Sequence, residues 1–239
     1  MNNKISVSVV LIILLLFISC AAQPKKPAED VQKEAEYYYK MGISSLNEGN
    51  LKMAYVQLHK AYELDQGNLD ILNSLGIVFM KLGEDNKAME FFKRVISIDN
   101  KYSEAYNNVG VIHLQNGRYK DAIEAFNNTL LNPLYKFPER GYYNLGNAYY
   151  RIGQYDKALK AFQTSIRLSP NFSLPYYGSS LVYNKKGNYG FASSMLTQAV
   201  ALDERYKGNI ERFRQDLKAR ISSRTADEDV YDYLEILNY

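Results

Sequence analysis

A repeat of about 34 residues constrains the fold of this chain more than any other feature. Small residues recur in three series, each at spacings of 34, 34, 36 and 34 residues. The first series is Gly49, Gly83, Gly117, Gly153 and Gly187, the second is Ala54, Ala88, Ala122, Ala158 and Ala192, and the third is Gly42, Gly76, Gly110, Gly146 and Ser180. Three series in phase indicate one structural unit that occurs five times and stacks on its neighbours.

The period and the pattern resemble the tetratricopeptide repeat, a pair of antiparallel helices. The resemblance implies an all-α fold, a right-handed superhelix of antiparallel helix pairs with C-terminal capping helices. The predicted repeats are residues 35–68, 69–102, 103–138, 139–172 and 173–206. Residues 207–239 depart from the period and read as two amphipathic helices that cap the open end. A degenerate sixth repeat is the competing description, and binding of this tail to a partner is a further alternative.

Two of the glycine series have different predicted roles. The glycines that begin with Gly42 fall in the middle of the first helices, where Gly costs about 1 kcal/mol relative to Ala. We expect them, together with the small alanines of the second helices, to let the two backbones approach closely. The glycines that begin with Gly49 fall where the first helix ends. A left-handed residue stops a helix there at little steric cost.

Large apolar residues at helical spacing predict the core and not a binding surface. In the first helices they are Tyr38, Leu72, Tyr106, Tyr142 and Tyr176. In the second helices they are Leu58, Phe92, Phe126, Phe162 and Leu196. His113 occupies the aromatic position that Phe79 holds one repeat earlier, so it is interpreted as a packing residue.

The chain begins with a fourteen-residue apolar run, residues 5–18, which has the length of a signal-peptide core and is short for a membrane span. The run ends at Cys20, in a context that resembles the bacterial lipobox. We therefore predict a lipoprotein signal peptide at 1–19, a lipidated Cys20 and a flexible tether at 20–34. By resemblance to lipoprotein sorting rules, Ala21 implies the outer membrane. An uncleaved signal anchor and ordinary secretion are the alternatives.

Composition and motif content exclude several classes of function. The formal charge is only +3, so nucleic-acid binding is not predicted. Cys20 is the single cysteine, which leaves no intrachain disulfide and no cysteine-based metal site. Neither His59 nor His113 belongs to a nucleophile, zinc or phosphate-loop motif. We expect no enzymatic activity, no cofactor, no metal and no small-molecule substrate.

The concave face of the superhelix is the predicted partner-binding groove, because the first helices of tetratricopeptide repeats line that face. Three positions per repeat map onto it. They are Tyr39, Ile43, Leu46, Asn73, Ile77, Met80, Asn107, Val111, Leu114, Tyr143, Asn147, Tyr150, Tyr177, Leu181 and Asn184. Most are apolar or aromatic, whereas a merely solvated face is mostly charged. The strip therefore predicts a site for a protein partner.

Polar groups in and beside the groove indicate what the partner is like. The asparagines are able to hydrogen-bond a peptide backbone without reading its sequence strictly. The polar edge consists of Lys40, Lys81, Gln115, Arg151 and Lys185, which predicts a modestly acidic partner segment. Coverage of the groove by the end helices, or by a neighbouring copy, is the alternative.

The third repeat is two residues longer than the others, and the extra length lies in residues 132–139, which read NPLYKFPE. Together with the YNLGNA sequence at 143–148 and the lipoprotein signal, this insertion resembles the type IV pilus biogenesis lipoproteins, which are pilotin-like tetratricopeptide proteins. The resemblance implies a protein at the periplasmic face of the outer membrane that helps the pilus secretin to localise or assemble. A lipoprotein adaptor for other envelope proteins, such as cell-wall hydrolases, is the alternative function.

Overall fold

The computed structural model describes residues 27–223, 225 and 227–239. The predicted signal peptide and Cys20 lie outside these residues. Within them the chain forms twelve α-helices and no strand. The helices are α1 Ala28–Asn47, α2 Leu51–Leu64, α3 Leu69–Lys81, α4 Asp85–Ile98, α5 Ser103–Gln115, α6 Tyr119–Leu130, α7 Pro138–Arg151, α8 Tyr155–Leu168, α9 Leu174–Lys185, α10 Tyr189–Leu202, α11 Ile210–Ser222 and α12 Glu228–Ile236.

The first ten helices form five pairs, from α1 with α2 to α9 with α10, and each pair packs on the next. The predicted all-α repeat architecture is confirmed. No helix among the described residues is both long and apolar enough to cross a membrane.

Helix α1 begins earlier than the sequence analysis predicted. It starts at Ala28, so the described end of the predicted flexible tether, residues 28–34, is helical. Pro27 precedes the helix, and Glu29 and Asp30 lie in its first turn, where carboxylates interact favourably with the helix dipole. Lys33 adds an ion pair to Glu29 at 2.7 Å, one turn apart. Local signals thus extend the helix into a segment whose prolines and charges suggested a tether.

The turn within each pair is set by a glycine with positive φ, as predicted. Gly83 ends α3 with φ of 76°, and no heavy atom lies within 4 Å of the place where a Cβ would stand. The amide of Glu84 donates to the carbonyl of Phe79 at 2.9 Å and closes the helix end. The equivalent glycines of the other pairs are Gly49, Gly117, Gly153 and Gly187, with φ between 71° and 77°.

The mid-helix glycines have a packing role, because the atoms that a Cβ would meet belong to the large side chain of the second helix. A Cβ on Gly76 would lie 2.5 Å from Cε1 of Phe92, closer than atoms in contact approach. Glycine therefore makes room for the large side chain of the second helix, and not only for its small alanine. Gly42, Gly110 and Gly146 stand in the same relation to Leu58, Phe126 and Phe162.

The predicted core residues of the second helices are all fully buried. In the first helices Leu72 and Tyr176 are buried, whereas Tyr38, Tyr106 and Tyr142 are half-buried. A tyrosine tolerates this partial exposure because its ring is apolar and its hydroxyl is polar.

The insertion of the third repeat is an ordered turn between α6 and α7. Asn132 accepts from the amide of Leu134 at 2.9 Å and donates to the carbonyl of Lys101 at 3.0 Å, which links the turn to the preceding repeat. Tyr135 is buried and anchors the segment. Leu134 points outward with 84% of its surface exposed.

The C-terminal helices join the buried apolar cluster of repeat five, in which Phe213 and Leu217 of α11 lie with Leu196 and Val200 of α10. Helix α11 contacts α10 beyond the fifth repeat, but α12 turns back and contacts α9, α10 and α11. In the described part of repeats two to five, no second helix contacts the first helix of the preceding repeat. Helix α12 therefore does not take the place of the second helix of a sixth repeat. It packs on the first helix of repeat five, on the face that the sequence analysis assigned to the partner.

Candidate protein-binding groove

The fifteen predicted groove residues all lie on first helices, at matching positions of α1, α3, α5, α7 and α9. In repeats one to four they are half-buried, except for Asn73, which is buried. In repeat five Tyr177, Leu181 and Asn184 are all buried. The groove thus has an accessible part along repeats one to four and a covered part in repeat five.

Two asparagines of the groove, Asn73 and Asn107, accept hydrogen bonds from asparagines of the next repeat. Asn108 donates to the Asn73 side-chain oxygen at 3.1 Å, and Asn144 donates to that of Asn107 at 2.9 Å. These amide pairs connect repeats two, three and four along the concave side. Part of the hydrogen-bonding capacity that the sequence analysis reserved for a peptide backbone is therefore used within the protein. The remaining donors and lone pairs of Asn107 stay available.

The N-terminal end of the groove carries charges of both signs. A cavity of about 290 Å³ lies between α1 and α3, and Tyr39, Lys40 and Asp70 are among its lining residues. Lys40 pairs with Glu36 at 2.7 Å on its own helix. The hydroxyl of Tyr102 donates to Asp70 at 2.6 Å, so burial and this carboxylate raise the pKa of Tyr102 well above its ordinary value.

Helix α12 closes the other end of the groove through a set of polar contacts. Arg151, the last residue of α7, donates to both carboxylate oxygens of Asp229, at 3.2 and 2.7 Å. Lys185, the last residue of α9, pairs with Asp232 at 2.8 Å. Both basic residues belong to the polar edge that predicted an acidic partner segment. The carboxylates that meet them come from the chain itself.

A third polar contact and an aromatic cluster complete the docking of α12. Asn184 donates to Glu235 at 3.1 Å. The Tyr233 ring lies 5.6 Å from the Tyr177 ring in an edge-to-face arrangement and 6.0 Å from Phe213. Aromatic pairs of this geometry add about 0.5–1.5 kcal/mol beyond the area that they bury. On the side of α12 that faces α10 and α11, Val230 and Ile236 are fully buried.

Docking places Asp229 in an environment that disfavours its charge. Burial raises the pKa of Asp229 above its ordinary value of 3.8, even though the Arg151 guanidinium opposes this shift. The bidentate pair therefore carries a desolvation cost that its hydrogen bonds do not fully offset. The more exposed Lys185 has a raised pKa because Asp232 accepts a hydrogen bond from its ammonium group. Of the two ion pairs, the one between Arg151 and Asp229 therefore carries the larger desolvation cost.

Helix α12 does not fill the groove that it covers. A cavity of about 390 Å³ remains between α12 and the first helices of repeats three to five. Its lining includes Leu114, Tyr143, Asn147, Tyr150 and Leu181 from the predicted set, together with Asp229 and Tyr233 of α12. Burial and the charges of Asp229 and Asp232 raise the pKa of Tyr150.

The sequence alone did not indicate that Asp229, Asp232, Tyr233 and Glu235 belong to the groove. Asp227 caps α12 by accepting from the Val230 amide at 3.3 Å, whereas Asp229 faces Arg151. The usable signal was the spacing i, i+3, i+4 of Asp229, Asp232 and Tyr233, which puts two carboxylates and a tyrosine on one helix face.

The two histidines have packing neighbours. His59 lies between Tyr55 and Tyr62, with ring centroids 5.5 and 6.2 Å away. Burial, and then the charge of Arg118, lower the pKa of His113. No group of three or more His, Cys, Asp or Glu side chains able to hold a metal occurs among residues 27–223, 225 and 227–239.

Profiles described as tetratricopeptide repeat match residues 69–102, 91–124 and 139–172. Among similar sequences, the type IV pilus assembly protein PilF of Pseudomonas aeruginosa is 27% identical over 148 residues, which are 62% of this chain and 59% of that protein. The chain thus spans less than two thirds of this relative's length. The photosystem I assembly protein Ycf3 of Rippkaea orientalis is 28% identical over 148 residues, 61% of this chain and 73% of that protein.

Among solved structures, PilF of Pseudomonas aeruginosa matches with a TM-score of 0.70, at 21% identity, over 87% of this chain and 92% of that one. At this identity the likeness concerns the fold. Both of these sequence relatives are named as assembly proteins. The chain is therefore an all-α protein of tetratricopeptide repeats, related in sequence to a type IV pilus assembly protein.

Proposed function

We propose that this chain is a periplasmic scaffold, anchored to the outer membrane by a lipid on Cys20, that assists the localisation or assembly of the type IV pilus secretin. The observation that carries the proposal is the 148-residue sequence match to a type IV pilus assembly protein. The Pro-Leu-Tyr insertion between α6 and α7 and the lipobox-like sequence at Cys20 support it independently.

The groove supplies the binding part of this function. One apolar position of the groove holds Ile43, Ile77 and Val111 in repeats one to three, and Leu114 lies one turn after Val111. Each of these four side chains is half-buried. An apolar strip of this kind gains free energy when a partner covers it, at about 25 cal/mol per Å² of apolar surface. The lipid supplies the localising part, since a tether at the membrane raises the local concentration of the scaffold and a modest affinity then suffices.

A gene deletion with complementation tests the proposal. We expect the deletion strain to lose twitching motility and sodium-dodecyl-sulfate-resistant secretin multimers, and the wild-type gene to restore both. Leu114→Glu puts a charge into the groove and should not restore them. The matched control is Leu168→Glu, since Leu168 is an exposed leucine at the end of a second helix. Normal multimers and normal pili in the deletion strain would refute the pilus function and leave an adaptor for other envelope proteins.

The anchor is tested separately. Mass spectrometry of the mature protein should find an N-terminal cysteine that carries acyl chains, and Cys20→Ser should release the protein into the soluble periplasmic fraction. Each acyl chain contributes about 0.8 kcal/mol per buried methylene, so several chains anchor stably. An unmodified Cys20 in membrane-bound protein contradicts the anchor.

A further inference from the structure

Helix α12 is bound to the groove in the way that a separate acidic peptide would be. It presents Asp229, Asp232 and Tyr233 on one face, and these side chains meet Arg151, Lys185 and Tyr177 of the first helices. We propose that α12 is an internal substitute for the partner. The segment that repeats three to five capture is then an acidic, tyrosine-bearing amphipathic helix that competes with α12. This inference rests on the proposed function only in that the groove is the partner site.

Charge distribution along the chain supports this occupant. Residues 227–239 contain five carboxylates and no Lys or Arg, so the rest of the chain has a formal charge of +8 instead of +3. This short segment thus carries the five negative charges that bring the formal charge of the chain from +8 to +3. Complementary charge of this kind steers encounter and selects among partners.

The basic positions belong to the repeat pattern and not to α12. Arg151 and Lys185 end α7 and α9, and Lys81 ends α3 at the corresponding place. Lys81 is exposed and lies beyond the part of the groove that α12 covers. A longer acidic helix is able to follow this row from repeat five towards repeat two, whereas the nine residues of α12 reach only its end.

The fit of α12 leaves room for a better ligand. The cavity of about 390 Å³ beneath it is lined by Leu114, Tyr143 and Tyr150, which a longer or bulkier helix would cover. The favourable free energy of the ion pair between Arg151 and Asp229 is also partly offset by the cost of burying the carboxylate. Helix α12 remains docked through its buried Val230 and Ile236, and its covalent link adds a high effective concentration, on the order of millimolar. A partner with more apolar contact is then able to displace it.

The test uses a labelled peptide of residues 227–239 and the full chain, with binding followed by fluorescence anisotropy. In the wild-type chain α12 occupies the site, and binding should be weak. The double variant Asp229→Lys with Asp232→Lys repels α12 from the groove without altering any first helix. We expect it to bind the peptide at least ten-fold more tightly than the wild type does.

Two further variants are made in the double-variant background. Arg151→Glu should abolish peptide binding. Lys160→Glu is the matched control, because Lys160 is exposed on α8 of the same repeat and should leave binding unchanged. Hydrogen exchange should show faster exchange in α12 of the double variant and unchanged protection in α3 to α8. Unchanged peptide affinity, or loss of protection throughout the repeats, would overturn the proposal, since α12 would then be a permanent part of the fold.

Light scattering on the same samples measures the oligomeric state and so tests whether a second copy of the chain occupies the groove. If the wild-type chain dimerises at the concentrations used, α12 of a second copy fills the groove, and the competing-partner proposal fails. A monomer supports it. Because these measurements contain no secretin, a negative peptide result leaves the pilus function standing, and normal secretin multimers in a deletion strain leave the peptide result standing.

Discussion

The contact between a mid-helix glycine and the ring that faces it is testable quantitatively in repeat four. Phe162 is fully buried between Gly146 of its own repeat and Gly178 of the next. A Cβ on Gly146 would lie 2.5 Å from Cε1 of Phe162, and a Cβ on Gly178 would lie 2.4 Å from Cζ. Because glycines approach the ring closely in both helices, rotation or displacement gives it little relief from a new methyl group on Gly146.

Two effects of Gly146→Ala oppose each other. Alanine is about 1 kcal/mol more favourable than glycine in a helix interior. Overpacking of a core costs about 1–3 kcal/mol, and a contact this short belongs at the upper end. We therefore expect Gly146→Ala to lower the free energy of unfolding by about 2 kcal/mol. A helix-propensity argument alone predicts the opposite sign.

A double-mutant cycle separates this contact from other effects. Phe162→Ala removes the ring and should cost about 3–5 kcal/mol by itself. In that background Gly146→Ala should no longer lower the free energy of unfolding, which gives a coupling of about 2 kcal/mol. Leucine would not serve at position 162, because a Cβ on Gly42 of repeat one would lie 2.6 Å from Cγ of Leu58.

The control substitution is Gly153→Ala. Gly153 has φ of 71° and no heavy atom within 4 Å of a new Cβ, so its cost of about 1 kcal/mol comes from the backbone. That cost should be the same with Phe or Ala at position 162. Urea denaturation followed by far-ultraviolet circular dichroism measures all the variants. Additive effects of Gly146→Ala and Phe162→Ala would refute the steric reasoning.

Two more predictions concern the C-terminal part. Asp203 accepts from Arg205 at 2.6 Å and from Tyr177 at 3.2 Å, and the Arg205 hydrogen bonds lower its pKa below 3.8. Asp203→Asn should therefore cost about 1.5–3 kcal/mol at neutral pH, and the difference from wild type in thermal unfolding should shrink as pH falls below about 4 and Asp203 in the folded protein takes up its proton. Tyr233→Ala should weaken the docking of α12 by about 3 kcal/mol. Amide hydrogen exchange should become faster in α12, whereas the exchange rates of repeats one to three should not change. The same exchange rate of α12 in variant and wild type would contradict its anchoring by this ring.

The helix pairs were predictable because their signals are local and repeated. A positive-φ glycine such as Gly83 and a buried alanine such as Ala88 recur in each unit, so any one unit reports on all five. The first-helix positions of the groove follow from the same register. The particular neighbour of each mid-helix glycine was not predictable from spacing, since Ala88 and Phe92 lie four residues apart on the same face of the second helix.

The position of α12 was not predictable, because it depends on a contact between residues far apart in sequence. Arg151 and Asp229 are separated by 78 positions, and no repeat relates them. The 34-residue period ends before α11, so register gives no information about where the tail folds. A helix face with Asp229, Asp232 and Tyr233 is equally compatible with a capping helix, a solvent-exposed helix and a helix bound in the groove. The position of α12 is determined by the basic residues at the ends of α7 and α9, which the stacking of the repeats brings together.

Coverage of the groove by α12 changes the affinity that a partner needs. If docking of α12 is favourable by about 2 kcal/mol, the open groove is present in roughly one molecule in thirty. A partner with an intrinsic dissociation constant of about 1 μM would then bind with an apparent value of about 30 μM. Under the proposed function, a scaffold held at a membrane reaches such concentrations locally, whereas a dilute partner elsewhere does not. Self-coverage would then restrict capture to the place where scaffold and partner are both concentrated, and it buries Tyr177 and Leu181 in the free protein.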